Sequence, residues 1–179
     1  MSLSQPRIQC RVLRPAELPD CQERLAEILH ACVTSGASVS FIEPFSLTDS
    51  RTFWQDKVFP AVCRGGRILI VVEIDQVIAG TVQLDIDLPP NQPHRCEVSK
   101  LLVHPDYRKR GLAKALMTTL EDQARTLDKK LITLDTKSGD KAEPLYHSLG
   151  YCTAGSIPGF ALDTTGNSLH ATTYMYKRL

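Results

Sequence analysis

Polar and apolar positions alternate from Arg7 to Leu13 (Arg-Ile-Gln-Cys-Arg-Val-Leu), which predicts a first strand. The period then lengthens. Between Pro15 and Val33, Leu18, Leu25, Ile28, Leu29 and Cys32 recur at helical spacing, with Asp20 and Glu23 near the positive end of the helix dipole. Gly36 to Phe41 reads as a loop of small residues with one aromatic. Leu47-Thr48-Asp49-Ser50 leads into a second helix holding Phe53, Trp54, Lys57, Val58 and Val62, with Trp54 as a core anchor, and Gly65-Gly66 ends it. The β-branched run Arg67–Ile74, a tight turn at Asp75-Gln76 and a partner from Val77 to Asp87 predict a hairpin. Leu88 to Pro93 is a proline-rich loop that cannot continue a sheet.

From Glu97 to Val103 the pattern is a strand, with Val98 and Leu102 on one face and Glu97, Ser99, Leu101 and Val103 on the other. His104-Pro105-Asp106 breaks it. From Gly111 the period is helical: Leu112, Leu116 and Leu120 form a row that Ala113, Met117, Ala124 and Leu127 widen into a stripe. Leu131 to Asp135 is a short buried strand, so residues 97–135 predict a right-handed crossover between parallel strands. Lys141 to Leu149 reads as a short helix, carrying Ala142, Leu145, Tyr146 and Leu149, with Pro144 in its first turn and Gly150 as its cap. Tyr151-Cys152 opens another strand, Pro158-Gly159 and Thr164 to Asn167 are loops, and Ala171 to Tyr176 is a terminal strand. The expectation is one α/β domain across residues 1–179, with a mixed central sheet of about seven strands flanked by helices.

Charge narrows the partners. The formal net charge is +1, which gives no electrostatic case for nucleic acid or an anionic membrane. The cations Arg108, Lys109 and Arg110 are therefore a local feature, suited to a small anion. Cys10, Cys21, Cys32, Cys63, Cys96 and Cys152 form no C-x-x-C pair and no zinc spacing with histidine, so no metal site is expected. Reduced thiols, most of them buried, fit a cytoplasmic protein, and Cys96 reads as core. No signal peptide or membrane-spanning run is read from the chain, and Met1-Ser2-Leu3 carry no weight in it.

The junction at Arg108-Lys109-Arg110-Gly111 joins these cations to the first turn of a helix, whose backbone N–H groups have no partner inside the helix. Glycine lets a ligand approach the backbone, so the junction suits a phosphate or pyrophosphate; it reads equally as a solvated basic turn. Arg108-Lys109-Arg110-Gly111-Leu112-Ala113 resembles the R/Q-x-x-G-x-G/A pattern of the Gcn5-related N-acetyltransferase (GNAT) family. Ala142-x-x-x-Tyr146-x-x-Leu149-Gly150-Tyr151 is similar to that family's A-x-x-x-Y-x-x-x-G-F and follows in the expected order. Gly36 to Phe41, Glu97-Val98-Ser99-Lys100-Leu101, Leu134-Asp135-Thr136, Pro158-Gly159-Phe160 and Leu169-His170-Ala171-Thr172 further resemble the tabtoxin resistance branch, which acetylates a β-lactam-containing amino acid toxin.

The resemblance implies acetyl-CoA as acetyl donor. Its pyrophosphate would lie on Arg108, Lys109, Arg110, Gly111, Leu112 and Ala113. Its pantetheine arm and acetyl oxygen would pair with backbone N–H groups near Leu101, Leu102 and Val103. Gly139 and Ala142 belong to the same cofactor surface, although the family often carries at position 139 an asparagine that contacts the cofactor. The acceptor amine must lose a proton, and Glu97 and Asp135 are the candidate bases. Either carboxylate also reads as structural, Glu97 paired with Lys100 or Arg95 and Asp135 capping a loop. Tyr146 is the candidate acid for the departing thiolate, with core packing as its alternative. Ser38 and His170 are candidate substrate contacts, whereas His104 reads as a turn-shaping residue. The implied activity is acetylation of a small amino-acid-like amine. The alternatives are a non-catalytic acetyl-CoA-binding or toxin-sequestering module and a protein N-acetyltransferase. The acceptor pocket is expected from loops 34–47, 88–94 and 155–170, and a homodimer through the C-terminal strand is a further expectation.

Overall fold

The computed structural model describes residues 7–179, and Met1-Ser2-Leu3 lie outside them. Seven strands form one mixed sheet in the order β1-β2-β3-β4-β5-β7-β6. β1 (Ile8–Val12), β2 (Arg67–Ile74), β3 (Val77–Asp85) and β4 (Arg95–Val103) are antiparallel neighbours. β4 and β5 (Leu131–Lys137) form the parallel pair, joined through α4 (Leu112–Thr126). β6 (Cys152–Leu162) and β7 (Leu169–Arg178) are a hairpin whose second strand inserts beside β5. The Asp75-Gln76 turn holds both residues at positive φ, 49° and 70°, as the twist of a tight hairpin requires.

Each sheet face has its own core, because successive side chains along a strand point to opposite faces. Ile70 and Val72 of β2 pack toward α4 with Leu116, Met117 and Leu120. Leu69 and Val71 pack the other way, toward α1 (Leu18–Thr34) and Trp54, which is fully buried as expected. α5 (Ala142–Ser148) lies on the α4 side through Tyr146.

Several expectations need correction. The second helix is not uniform: α2 (Leu47–Phe53) passes into a π-helical turn at Trp54–Val58 and then α3 (Phe59–Cys63). Pro60 has no N–H and its ring crowds the carbonyl one turn earlier, so the ladder widens, and Phe59 N donates to Trp54 O. Leu127 does not join the α4 stripe. It is the C-cap, 42% exposed, and Asp128 at φ 56° turns the chain away. Pro158-Gly159 lies inside β6 rather than in a loop. β6 is an edge strand, where a missing ladder donor faces no neighbour, and its register to β7 shifts between Ile157 and Ala161. Of the cysteines only Cys32 and Cys96 are buried, whereas Cys63 and Cys152 are exposed. All six are free thiols, and Cys96 sits in the core beneath α4.

The correction that matters most for the site is in β4. Ser99 pairs with Gln83 and Leu102 with Thr81, so two residues of β4 oppose one of β3. Lys100, at φ 49°, is the extra residue of this bulge. Beyond it the faces exchange. Val98 packs in the α4-side core and Leu102 in the α1-side core, so they do not share a face as the two-residue period predicts.

Candidate active site

β4 and β5 pair only over Arg95–Glu97 and Leu131–Thr133. Beyond that rung they separate: β4 continues through its bulge to Val103, and β5 continues beside β7 to Lys137. The β5-facing edge of β4 from Val98 to Val103 therefore has no strand partner, and an extended ligand can add to it as a strand would. Leu101, Leu102 and Val103 lie on this edge.

At the open end of the cleft the chain passes through a 3₁₀ turn at Pro105–Tyr107 into α4. His104 Nδ1 accepts from Asp106 N at 3.3 Å, so this histidine shapes the turn. Lys109 at φ 62° and Gly111 at φ 77° are both left-handed, and the alternation turns successive N–H groups into a concave anion cradle. A Cβ on Gly111 would meet nothing within 4 Å, so the surface above it is open. The three cations differ. Arg108 turns inward: Nε donates to Val103 O at 3.1 Å and Nη2 to Ser35 Oγ at 3.0 Å. Arg110 stacks over Tyr107, 5.5 Å from the ring centroid. Arg108, Lys109, Arg110 and Gly111 are all exposed, while Leu112 anchors the helix in the core and Ala113 is half-buried.

Glu97 stands at the apex of the cleft, opposite Thr133, and accepts from Arg95 Nη1 at 2.9 Å. Its side chain remains 43% exposed. Asp135 lies two residues farther along β5 and accepts from Thr172 Oγ1 at 2.9 Å. Tyr146 projects from α5 into the α4-side core, only 5% exposed and packed edge-on against Tyr151. Burial raises its phenol well above the ordinary range, and the Asp135 charge adds to this, so the hydroxyl keeps its proton at neutral pH. The structure thus brings Tyr146 near enough to Asp135 for their charges to interact, on the β5 side of the cleft, and places Glu97 at its root. Gly139, at φ 73°, spends its N–H on Glu143 Oε2 at 2.7 Å. Ala142 begins α5 against the α4-side core.

Ser38 and His170 are also brought together, although 132 residues apart: Ser38 Oγ and His170 Nε2 are hydrogen-bonded at 3.0 Å. Glu43 N donates to Thr164 O at 2.7 Å, so the loop between α1 and α2 is tied to the β6–β7 hairpin at two points, its connection and the start of β7. This loop roofs the sheet face that carries Glu97 and Asp135. Among loops 34–47, 88–94 and 155–170, the first and last meet here. The 88–94 loop instead braces the root of the cleft, where Gln92 Oε1 accepts from Arg95 Nη2 at 2.7 Å. Lys100 is the component that sequence spacing missed. The bulge turns its side chain onto the same face, with Nζ donating to Ser40 Oγ at 3.0 Å and lying 5.7 and 5.9 Å from the Phe41 and Phe53 rings.

Among the described residues no group of His, Cys, Asp or Glu could hold a metal ion, and no helix is long and apolar enough to cross a membrane. An uncharacterized N-acetyltransferase of Azospirillum brasilense is 28% identical over 123 residues, 67% of this chain and 70% of that one. Another, of Lactobacillus delbrueckii subsp. lactis, is 25% identical over 104 residues, 56% of this chain; the chain spans 60% of that relative's length. A protein described as an acetyltransferase from Salmonella typhimurium, solved with its cofactor acetyl-CoA, superposes with a TM-score of 0.76 at 21% identity, covering 96% of this chain and 94% of that one. Its likeness establishes the fold. The family model described as the acetyltransferase (GNAT) family matches residues 27–151, which include the splayed strands, the Gly111 turn and Tyr146. On that match, the chain belongs to the GNAT acetyltransferase family.

Proposed function

We propose that the protein transfers an acetyl group from acetyl-CoA to the amine of a small amino-acid-like molecule, with a β-lactam amino acid toxin as the leading acceptor. The observation that supports this reading is the nearness of the Asp135 carboxylate to the Tyr146 hydroxyl, beside the cleft that opens between β4 and β5. A non-catalytic binding module needs the cleft but neither group. The residues fit the cofactor: the unpaired edge of β4 matches an extended pantetheine arm, and the left-handed cradle at Lys109 and Gly111 matches a pyrophosphate. When bound, acetyl-CoA supplies the thioester whose carbonyl carbon the amine attacks.

The chain supplies the proton transfers. Asp135, free of any cation within 4.0 Å among the described residues and oriented by Thr172, takes the amine proton. Tyr146 donates its hydroxyl proton to the sulfur as the C–S bond breaks. Glu97, held by Arg95, orients the incoming ammonium. The test is thiol release from acetyl-CoA by the purified protein across a panel of amines and amino acids that includes tabtoxinine-β-lactam. Saturable release is expected. Asp135→Asn is expected to lower kcat by about 100-fold, and Glu97→Gln by a smaller factor, each with the fold intact. Unchanged turnover in both would remove the carboxylates from the mechanism; cofactor binding without release across the panel would favour the binding module.

The cradle has its own test. Gly111→Ala meets no steric obstacle, so its cost is conformational, about 1–2 kcal/mol for a left-handed residue. Relieving it reorients the N–H groups above α4. The expected result is a rise of about 10-fold in the KM for acetyl-CoA with kcat nearly unchanged, measured by steady-state kinetics at saturating acceptor. An unchanged KM would place the pyrophosphate elsewhere.

A further inference from the structure

We propose that Lys100 is the specificity-determining residue of the acceptor site and receives a carboxylate of the acceptor, so that the substrate class is amines bearing a free carboxylate. The inference rests on the acetyl-transfer reading above and deepens it.

A lysine at the extra position of a bulge, at φ 49°, has an unusual backbone and an unusual side-chain direction. Pairing continues normally on both sides of it, so the bulge's local effect is to turn Lys100 onto the same face as Ser99, beneath the loop between α1 and α2. There the side chain is half-buried and its ammonium lies over the Phe41 and Phe53 rings. No carboxylate lies within 4.0 Å of Nζ among the described residues, and the one hydrogen bond is to the Ser40 hydroxyl. An ammonium has three donors, so two are left for a ligand. Two other cations on this face are spent: Arg95 on Glu97, and Arg67 on Asp85 and Gln83. The charges facing Lys100 are Asp135, Asp85 and Arg67, none of them a direct partner, and burial lowers its pKa. An anionic ligand group would reverse that cost.

The arrangement has polarity. Asp135 lies on one arm of the cleft and Lys100 on the other, near enough for their charges to interact. A zwitterion fits with its ammonium toward Asp135 and its carboxylate toward Lys100. The rings of Phe41 and Phe53 lie beneath the ammonium and hold it in place beside the cleft.

The experiment takes the best acceptor of the panel and its methyl amide, which lacks only the carboxylate charge, and assays both with wild type, Lys100→Met and Lys100→Arg. Methionine keeps an unbranched stem against the two rings. Wild type is expected to prefer the carboxylate form by about 10- to 100-fold in kcat/KM. Lys100→Met is expected to erase that preference through KM, with kcat and amide turnover within about 2-fold of wild type. Lys100→Arg should retain part of the preference. Equal losses for acid and amide, or an unchanged KM for the acid, would overturn the assignment while leaving acetyl transfer standing. If wild type acetylates nothing in the panel, the acetyl-transfer reading fails instead, and the assignment is read from heat stability in the presence of coenzyme A. A stabilising shift by carboxylate-bearing amino acids that Lys100→Met abolishes supports it, and no shift in wild type overturns it.

Discussion

Tyr146→Phe is expected to lower kcat on the order of 100-fold while leaving the KM for acetyl-CoA nearly unchanged. The ring remains, so its packing on Tyr151 and in the α4-side core is kept, and only the hydroxyl oxygen is lost. The tyrosine is held protonated, since burial opposes the phenolate and the neighbouring Asp135 carboxylate opposes it further. Such a group is a reservoir for one proton beside a leaving thiolate, and phenylalanine removes the proton without moving anything else. Stability at neutral pH should change by no more than about 1 kcal/mol. The variant also separates chemistry from packing through pH. Raising a phenol above its unfolded value of 10.0 gives stability that is complete below pH 10 and is lost as pH rises toward the folded value. Tyr151 is raised in the same direction by burial and will still contribute. Tyr146→Phe should therefore make the alkaline loss of stability shallower, measured by denaturant unfolding between pH 8 and pH 11. Wild-type turnover in this variant would leave Tyr146 as a packing residue and remove the acid from the mechanism.

Gly80→Ala is expected to damage fold and cofactor binding together. Gly80 is the β3 residue opposite Val103, next to the bulge. A Cβ there would sit 2.7 Å from the Leu102 carbonyl oxygen and 3.2 Å from both Val103 Cγ2 and Val72 Cγ1. The first of these is backbone and cannot rotate away, so β4 must shift relative to β3. Overpacking of this kind costs about 1–3 kcal/mol. The strand that moves is the one whose free edge, Leu101 to Val103, is assigned to the pantetheine arm. The KM for acetyl-CoA should therefore rise by about 10-fold or more alongside the loss of stability, and added coenzyme A should recover less stability than in wild type. A destabilised variant with an unaltered KM would show that the geometry of the β4 edge does not govern cofactor binding.

Much of the frame was legible in residue order. The hairpin of β2 and β3, the crossover through α4 and the short helix bearing Tyr146 follow from local periods and their punctuation: Asp75-Gln76, Gly111 and Gly150. The motif at Arg108–Ala113 was legible as a candidate anion site because its glycine and its helix start are neighbours in the chain. Its side chains were less so. Arg108 reads as a phosphate ligand, yet its guanidinium is spent on Val103 O and Ser35 Oγ, contacts that depend on where α1 ends. Glu97 and Asp135 were legible as carboxylates at strand positions. Their difference, one held by arginine and the other free of a cation within 4.0 Å among the described residues, was not.

By itself the sequence determined most of the helix and strand segments, the parallel crossover through α4, and which residues could hold a proton or an anion, because those properties are set by neighbours within a few positions. The tertiary structure alone decided the bulge at Lys100, the separation of β4 from β5 beyond Glu97, the placing of Pro158-Gly159 inside an edge strand and the meeting of Ser38 with His170. Each depends on pairing between residues far apart in the chain. A two-residue period carries no record of where one strand gains a residue over its partner, and that one residue turns Lys100 into the site and reverses the faces of everything after it.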